Sequence, residues 1–216
     1  TYNFGPSLGA DSVLHLGVGA TKGTSEIAAT SSNNTSSTAS TTTRASIVSF
    51  RSENRGLANI FRSQLGGKLL GTAVYGGTSD EPMSVDKSMS GLEGVYSKGP
   101  LKIQGEYVQN ALDAATSLGE GSGTVKVYYT EMLYNITGES WASAYKNGAF
   151  GGIKPNSNYS SGGGTGAWQI GVRYSKFDAS DMSVTGTNSR TQNSDKASTL
   201  TVGLNWLMNT NARIML

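Results

Sequence analysis

The sequence contains no cysteine, which removes a disulfide framework, a thiolate zinc site and a cysteine nucleophile together and leaves the redox compartment open. His15 is its one imidazole. A Ser-His-Asp triad would have to use that residue, and a two-histidine metal site cannot be built. Four prolines exclude a polyproline or collagen-like chain. Charge is scarce too: 15% of residues are Asp, Glu, Lys or Arg, and a formal net charge of +2 is too small and too evenly spread for a nucleic-acid surface. No run of about 18 apolar residues occurs, so no transmembrane helix is predicted. The sequence opens at Thr1 with neither a methionine nor a signal peptide, and is expected to be a mature product or a piece of a longer chain.

Glycine is abundant, at 29 of 216 residues, while hydrophobic residues reach only 36%. Ten Tyr, three Trp and five Phe argue against disorder. The chain is expected to fold around a thin core.

Its period is two. Residues 13–21 alternate Leu14, Leu16, Val18 and Ala20 with Val13, His15, Gly17, Gly19 and Thr21. Residues 167–176 set Trp168, Ile170, Val172 and Tyr174 against Gln169, Gly171, Arg173 and Ser175. The same pattern places Leu101, Ile103 and Tyr107 opposite Lys102, Gln104 and Glu106, and Leu200, Val202, Leu204 and Trp206 opposite Thr199, Thr201, Gly203 and Asn205. This is strand spacing. Strands of about 9–11 residues are predicted, the length a tilted strand needs to cross a bilayer. Residues 56–64 and 111–117 are the two short helix candidates.

Dyad-patterned antiparallel strands can form a sandwich whose apolar faces meet, or a barrel whose apolar face meets lipid and whose wet face lines water. Glycines and charges on the wet face, with Tyr96, Tyr107, Trp168, Tyr174 and Trp206 near the ends of the apolar one, favour an all-β, antiparallel transmembrane barrel. Tight turns are predicted at 96–100 and 208–211. Residues 23–44 carry thirteen Ser or Thr in 22 positions, and 178–196 is similarly polar. Short turns at one end and long loops at the other are therefore expected, with 23–86 and 178–196 as loop regions on the extracellular side of a single 1–216 domain. About seven spanning strands are counted, an odd number with two open edges, so missing chain or other copies must close the sheet.

Six segments carry a resemblance. They are Leu14-His-Leu-Gly17, Gly91-Leu-Glu93 leading to Gly99-Pro-Leu-Lys-Ile-Gln-Gly-Glu-Tyr107, Thr137-Gly-Glu-Ser140, Gly148-Ala-Phe-Gly-Gly-Ile-Lys-Pro155, Gly166-Ala-Trp-Gln-Ile-Gly-Val-Arg-Tyr-Ser175, and Leu200-Thr-Val-Gly-Leu-Asn-Trp-Leu-Met-Asn-Thr-Asn-Ala-Arg213. In this order and spacing the chain resembles the phosphate-selective O/P porins of Gram-negative outer membranes, with the Ser/Thr tract and 44–80 unmatched. The resemblance implies the C-terminal portion of a 16-stranded barrel, here incomplete, lacking the N-terminal strands and the last hairpin. It also implies a homotrimer in outer-membrane lipid, a phosphate or other anion channel, and passive diffusion of small hydrophilic solutes.

A diffusion pore needs wet-face charge rather than a catalytic constellation. By the alternation, the pore-lining candidates are His15, Glu93, Lys102, Gln104, Glu106, Glu131, Gln169, Arg173, Asn205 and Arg213. The lipid-facing candidates are Leu14, Leu16, Leu101, Ile103, Trp168, Ile170, Val172, Tyr174, Leu200, Val202, Leu204 and Trp206. A plainer reading makes Lys102–Glu106 and Arg173–Glu131 ion pairs on a solvated wall. Guanidinium groups suit phosphate: Arg173 and Arg213 have the right face, and Arg44, Arg51, Arg55 and Arg62 cluster in an unassigned loop region, while Glu93, Glu106 and Glu131 oppose anion flow. Gly119, Gly121 and Gly123 lack the Gly-Lys-Ser/Thr of a phosphate loop, and Asp80-Glu81 and 178–181 lack calcium-loop spacing. No catalytic residue, metal, cofactor or nucleic-acid partner is called for. The competing reading is a secreted all-β adhesin or binding protein without a channel.

Overall fold

The computed structural model describes residues 2–4, 8–27, 42–51, 59–68, 83–116, 119–186 and 189–216. Short 3-10 turns aside, their regular structure is all strand: β1 (Tyr2–Asn3), β2 (Ser12–Ile27), β3 (Thr42–Arg51), β4 (Asn59–Lys68), β5 (Met83–Lys98), β6 (Leu101–Thr116), β7 (Gly119–Asn135), β8 (Tyr145–Lys146), β9 (Ala149–Phe150), β10 (Ala167–Asp178), β11 (Ser183–Gly186), β12 (Arg190–Asn193), β13 (Lys196–Leu207) and β14 (Arg213–Met215). The main sheet runs β1-β2-β5-β6-β7-β10-β13-β14, antiparallel throughout, with β11 added alongside β7. It is open at β1 and β14, so the described residues do not close a barrel. A second sheet runs β12-β4-β3, and β8 pairs β9.

The two-residue connection from β5 to β6 follows from its sequence. Gly99 sits at φ +53°, and Pro100 fixes the next φ near −65°, the residue order of a type II′ hairpin turn. The Gly99 N–H donates to the Asp11 carbonyl at 3.1 Å, tying the turn to the start of β2.

Several expectations need correction. The long strands run 12–17 residues, not about 9–11, because β2, β5, β6 and β7 continue past their apolar stretch and remain paired. Neither short helix forms in the described residues. Positions 59–64 lie in β4 and 111–116 in β6, where Leu112 and Ala114 are buried and Asp113 and Ala115 exposed, a period of two. The stretches 23–86 and 178–196 carry strand: parts of β2 and β5 with all of β3 and β4 in the first, β11 and β12 in the second. Loop length also fails to segregate by end. The 136–166 connection leaves the sheet at the same end as the Gly99-Pro100 turn, while β6 and β7 are joined by two residues at the other. Much of the Ser/Thr tract, Arg55 and Asp80-Glu81 lie outside the described residues.

The apolar core sits where the β3–β4 hairpin covers the main sheet. Ile47, Phe61 and Leu65 pack with Val85, Leu112, Ala114, Val125 and Phe177. Phe50 stacks on Phe177 with ring centroids 4.1 Å apart, and β12 adds a third strand to the hairpin through β4. Register places Val85, Leu112, Val125 and Phe177 on the same sheet face as Glu93, Glu106 and Arg173. That face is thus polar near the Gly99 turn and apolar near the far end. Phe61→Ala removes a ring that is fully buried, at a cost of about 3–5 kcal/mol of local stability. The expected outcome is faster limited proteolysis within 42–68, with the β5–β7 ladder still protected.

Candidate functional site

The Cα pairings carry each face across six strands. On one face a row runs His15, Val95, Gln104, Glu131, Arg173, Thr201; the next row toward the hairpin runs Gly17, Glu93, Glu106, Tyr129, Ser175, Thr199. Toward the Gly99 turn, Lys102 pairs Leu133, Gln169 pairs both Asn135 and Asn205, and Arg213 pairs Leu207. All ten residues of the wet-face set therefore share one side of the sheet.

The twelve apolar candidates share the other side. Leu14, Ile103, Val172 and Val202 lie in one row, Leu16, Tyr174 and Leu200 in the next, Leu101, Ile170 and Leu204 in a third, and Trp168 pairs Trp206. Leu200 is 68% and Val202 66% exposed. Tyr107, Tyr128 and Tyr174 end this apolar stretch on β6, β7 and β10, and the next residues on that side are Gln109, Lys126 and Lys176. Tyr96, Tyr134 and the stacked Trp168–Trp206 pair, with centroids 5.3 Å apart, mark the opposite limit. An exposed apolar band with aromatic residues at both limits is the pattern of a surface facing hydrocarbon between two interfaces.

On the polar face the 136–166 connection folds inward. Three candidates that the alternation treats as open wall lie beneath it: His15 is 4% exposed, Lys102 6%, and Gln169 is likewise buried. The Tyr145 hydroxyl lies 2.7 Å from His15 Nδ1, and His15 Nε2 lies 3.1 Å from Glu93 Oε1. A neutral imidazole carrying its proton on Nε2 satisfies both contacts, accepting from the phenol and donating to the carboxylate. Burial, then the Glu93 carboxylate, pushes the Tyr145 phenol up, so it stays a donor through neutral pH. Lys102 does not pair with Glu106. Its Nζ sits 4.3 Å from the Trp141 ring centroid and 5.1 Å from that of Phe150.

An amide ladder fixes the base of this connection. Asn205 Nδ2 donates to Gln169 Oε1 at 2.9 Å, Gln169 Nε2 to Asn135 Oδ1 at 2.9 Å, and Asn135 Nδ2 to the Glu139 carbonyl at 2.8 Å. Ser140 Oγ also donates to Asp11 Oδ1. Beside it, Glu131 accepts from Gln104 Nε2 at 3.0 Å and pairs with Arg173 at 3.7 Å, while the Arg173 guanidinium lies 3.9 Å from the Tyr129 ring centroid. Arg173, Arg51, Tyr129, Ser175 and Thr199 line a cavity of about 200 Å³ between hairpin and wall. His15, Glu93, Lys102, Gln104, Tyr129 and Tyr145 line another of about 290 Å³. Among the acids of 178–181, Asp178 accepts from Ser180 and pairs with Lys196, and Asp181 pairs with Lys126 at 3.0 Å.

Trp141, Tyr145 and Phe150 were outside the sequence-based set. One signal was present for two of them: Asn147-Gly148, with φ +51° and +83°, is the type I′ turn that pairs β8 with β9 and sets Tyr145 opposite Phe150, while Trp141 is held by its bonds to the Gly99 and Pro100 carbonyls.

The family described as phosphate-selective porin O and P matches residues 1–216. Porin O of Pseudomonas aeruginosa is 31% identical over 145 residues, an alignment taking in 66% of this chain and 32% of that porin. The chain spans about a third of the length of this curated relative.

If Trp141 shields Lys102, Trp141→Ala should speed acylation of that amine by a water-soluble reagent several-fold, measured by mass spectrometry of the labelled peptide. An unchanged rate would place the shield elsewhere.

Proposed function

The chain belongs to the phosphate-selective porin O and P family, and from that premise we propose that it forms part of the wall of a Gram-negative outer-membrane porin. Its apolar face meets lipid, its polar face meets a water-filled path, and small hydrophilic solutes cross by passive diffusion. The role is that of a channel rather than an enzyme, and the working assembly is a homotrimer of closed barrels. The observation that carries this reading is the exposed band from Leu14 to Trp206, limited at both sides by aromatics and set back to back with a face of amides and charges. An adhesin built as a sandwich would need those apolar side chains covered, and they are open.

Phosphate is the solute class we favour among anions. Arg51 and Arg173 line one cavity with the hydroxyl-bearing Ser175 and Thr199, and guanidinium groups bind phosphate oxygens in pairs. The loops carrying β3, β4, β11 and β12 face the cell exterior in this reading, and Lys102, Gln104, Glu106 and Asn205 belong to the channel side.

Two outcomes test it. Val202→Arg, at the band's centre, should cost roughly 2–4 kcal/mol of folding into a bilayer, whereas Thr201→Arg on the opposite face should cost far less. The full-length polypeptide carrying this sequence should give discrete conductance steps in a planar bilayer, with chloride current reduced by added phosphate. Arg173→Ala should shift its selectivity toward cations by about two- to threefold at low salt, the effect of one unit charge acting through water over several ångströms. No conductance would end the channel reading.

A further inference from the structure

Two carboxylates meet on the polar face where β5 pairs with β6. Glu93 and Glu106 are direct Cα partners on β5 and β6, a cross-strand juxtaposition of like charges that destabilises a sheet. The Glu93 side chain is 45% exposed and folds across Gly17, where a Cβ would collide with the carboxylate, so glycine is what lets it lie there. Glu93 accepts from the His15 imidazole, whereas Glu131 faces the Arg173 guanidinium as well as the Gln104 amide. The neighbouring cations are spoken for: Arg173 by Glu131 and the Tyr129 ring, Lys102 by burial beneath Trp141 and Phe150. An ion in a water-filled path responds to charge it can approach within a Debye length, about 8–10 Å, and a cation covered by aromatic rings contributes less of it.

Resting on the channel reading above, we propose that Glu93 and Glu106 are specificity-determining residues that hold the β5–β6 sector of the path negative and weaken its preference for anions, while the 136–166 connection keeps Lys102 from offsetting them. The same carboxylates would favour cations entering along β5 and β6.

Reversal potentials of the full-length polypeptide, measured in planar bilayers under a KCl gradient, test the proposal. The double variant Glu93→Gln/Glu106→Gln should raise chloride-over-potassium permeability by roughly two- to sixfold at low salt, from one or two unit charges acting through water. Each single Gln variant should give a smaller rise in the same direction, which keeps the test open if the double variant fails to insert. Lys102→Met should move the ratio by less than either, and Glu120→Gln, on the opposite face, should leave it alone. An unchanged ratio in the Gln variants, or a larger shift from Lys102→Met, would overturn the proposal. Absence of conductance from the unsubstituted protein would strike the channel reading instead.

Discussion

Every peptide unit carries a donor and an acceptor, and within hydrocarbon neither finds water, so a chain crossing there must pair each with its own backbone or a neighbour's. The ladder from β2 through β13 meets that demand with unbroken register over five strand pairs. Register in turn fixes which side chains share a side, because the pleat sends successive residues to opposite faces and a slip of one residue would exchange the two surfaces. Leu14 through Trp206 can therefore share one face only because His15 through Asn205 share the other.

That other side is divided along the strands. Near the Gly99 turn it carries amides and charges, partly roofed by Trp141, Tyr145 and Phe150. Toward the far end it becomes Val85, Leu112, Val125 and Phe177, surface that the β3–β4 hairpin covers with Ile47, Phe61 and Leu65. Two segments that leave the sheet at opposite ends thus return to the same face, one held by hydrogen bonds and a cation over aromatic rings, the other by apolar burial.

The faces were legible in the sequence because period-two alternation is a local property and register preserved it across neighbours. All 22 residues assigned by alternation, from His15 and Leu14 to Arg213 and Trp206, lie on the two sides the pattern separates. What local pattern could not carry was tertiary. Leu112 and Ala114 look like helix formers until β7 pairs with them, and 59–64 forms strand because β3 and β12 flank it. The covering of Lys102 and His15 depends on Trp141 and Tyr145, which come from a connection remote in sequence, Trp141 being seated by bonds to the carbonyls of Gly99 and Pro100. Local sequence held the Asn147-Gly148 turn but not its target.

The pairing of β12 with β4 joins Arg190 to Gln64, partners more than a hundred residues apart in the chain. Closing so large a loop is entropically expensive unless intervening structure has already drawn its ends together. The main sheet does so, since β10 and β13 bring the segment containing β12 above the hairpin's landing site. Loop-closure entropy therefore favours seating β12 on β4 once the main sheet stands, and until the hairpin covers it the floor of Val85, Leu112, Val125 and Phe177 is bare apolar surface of the kind that aggregates.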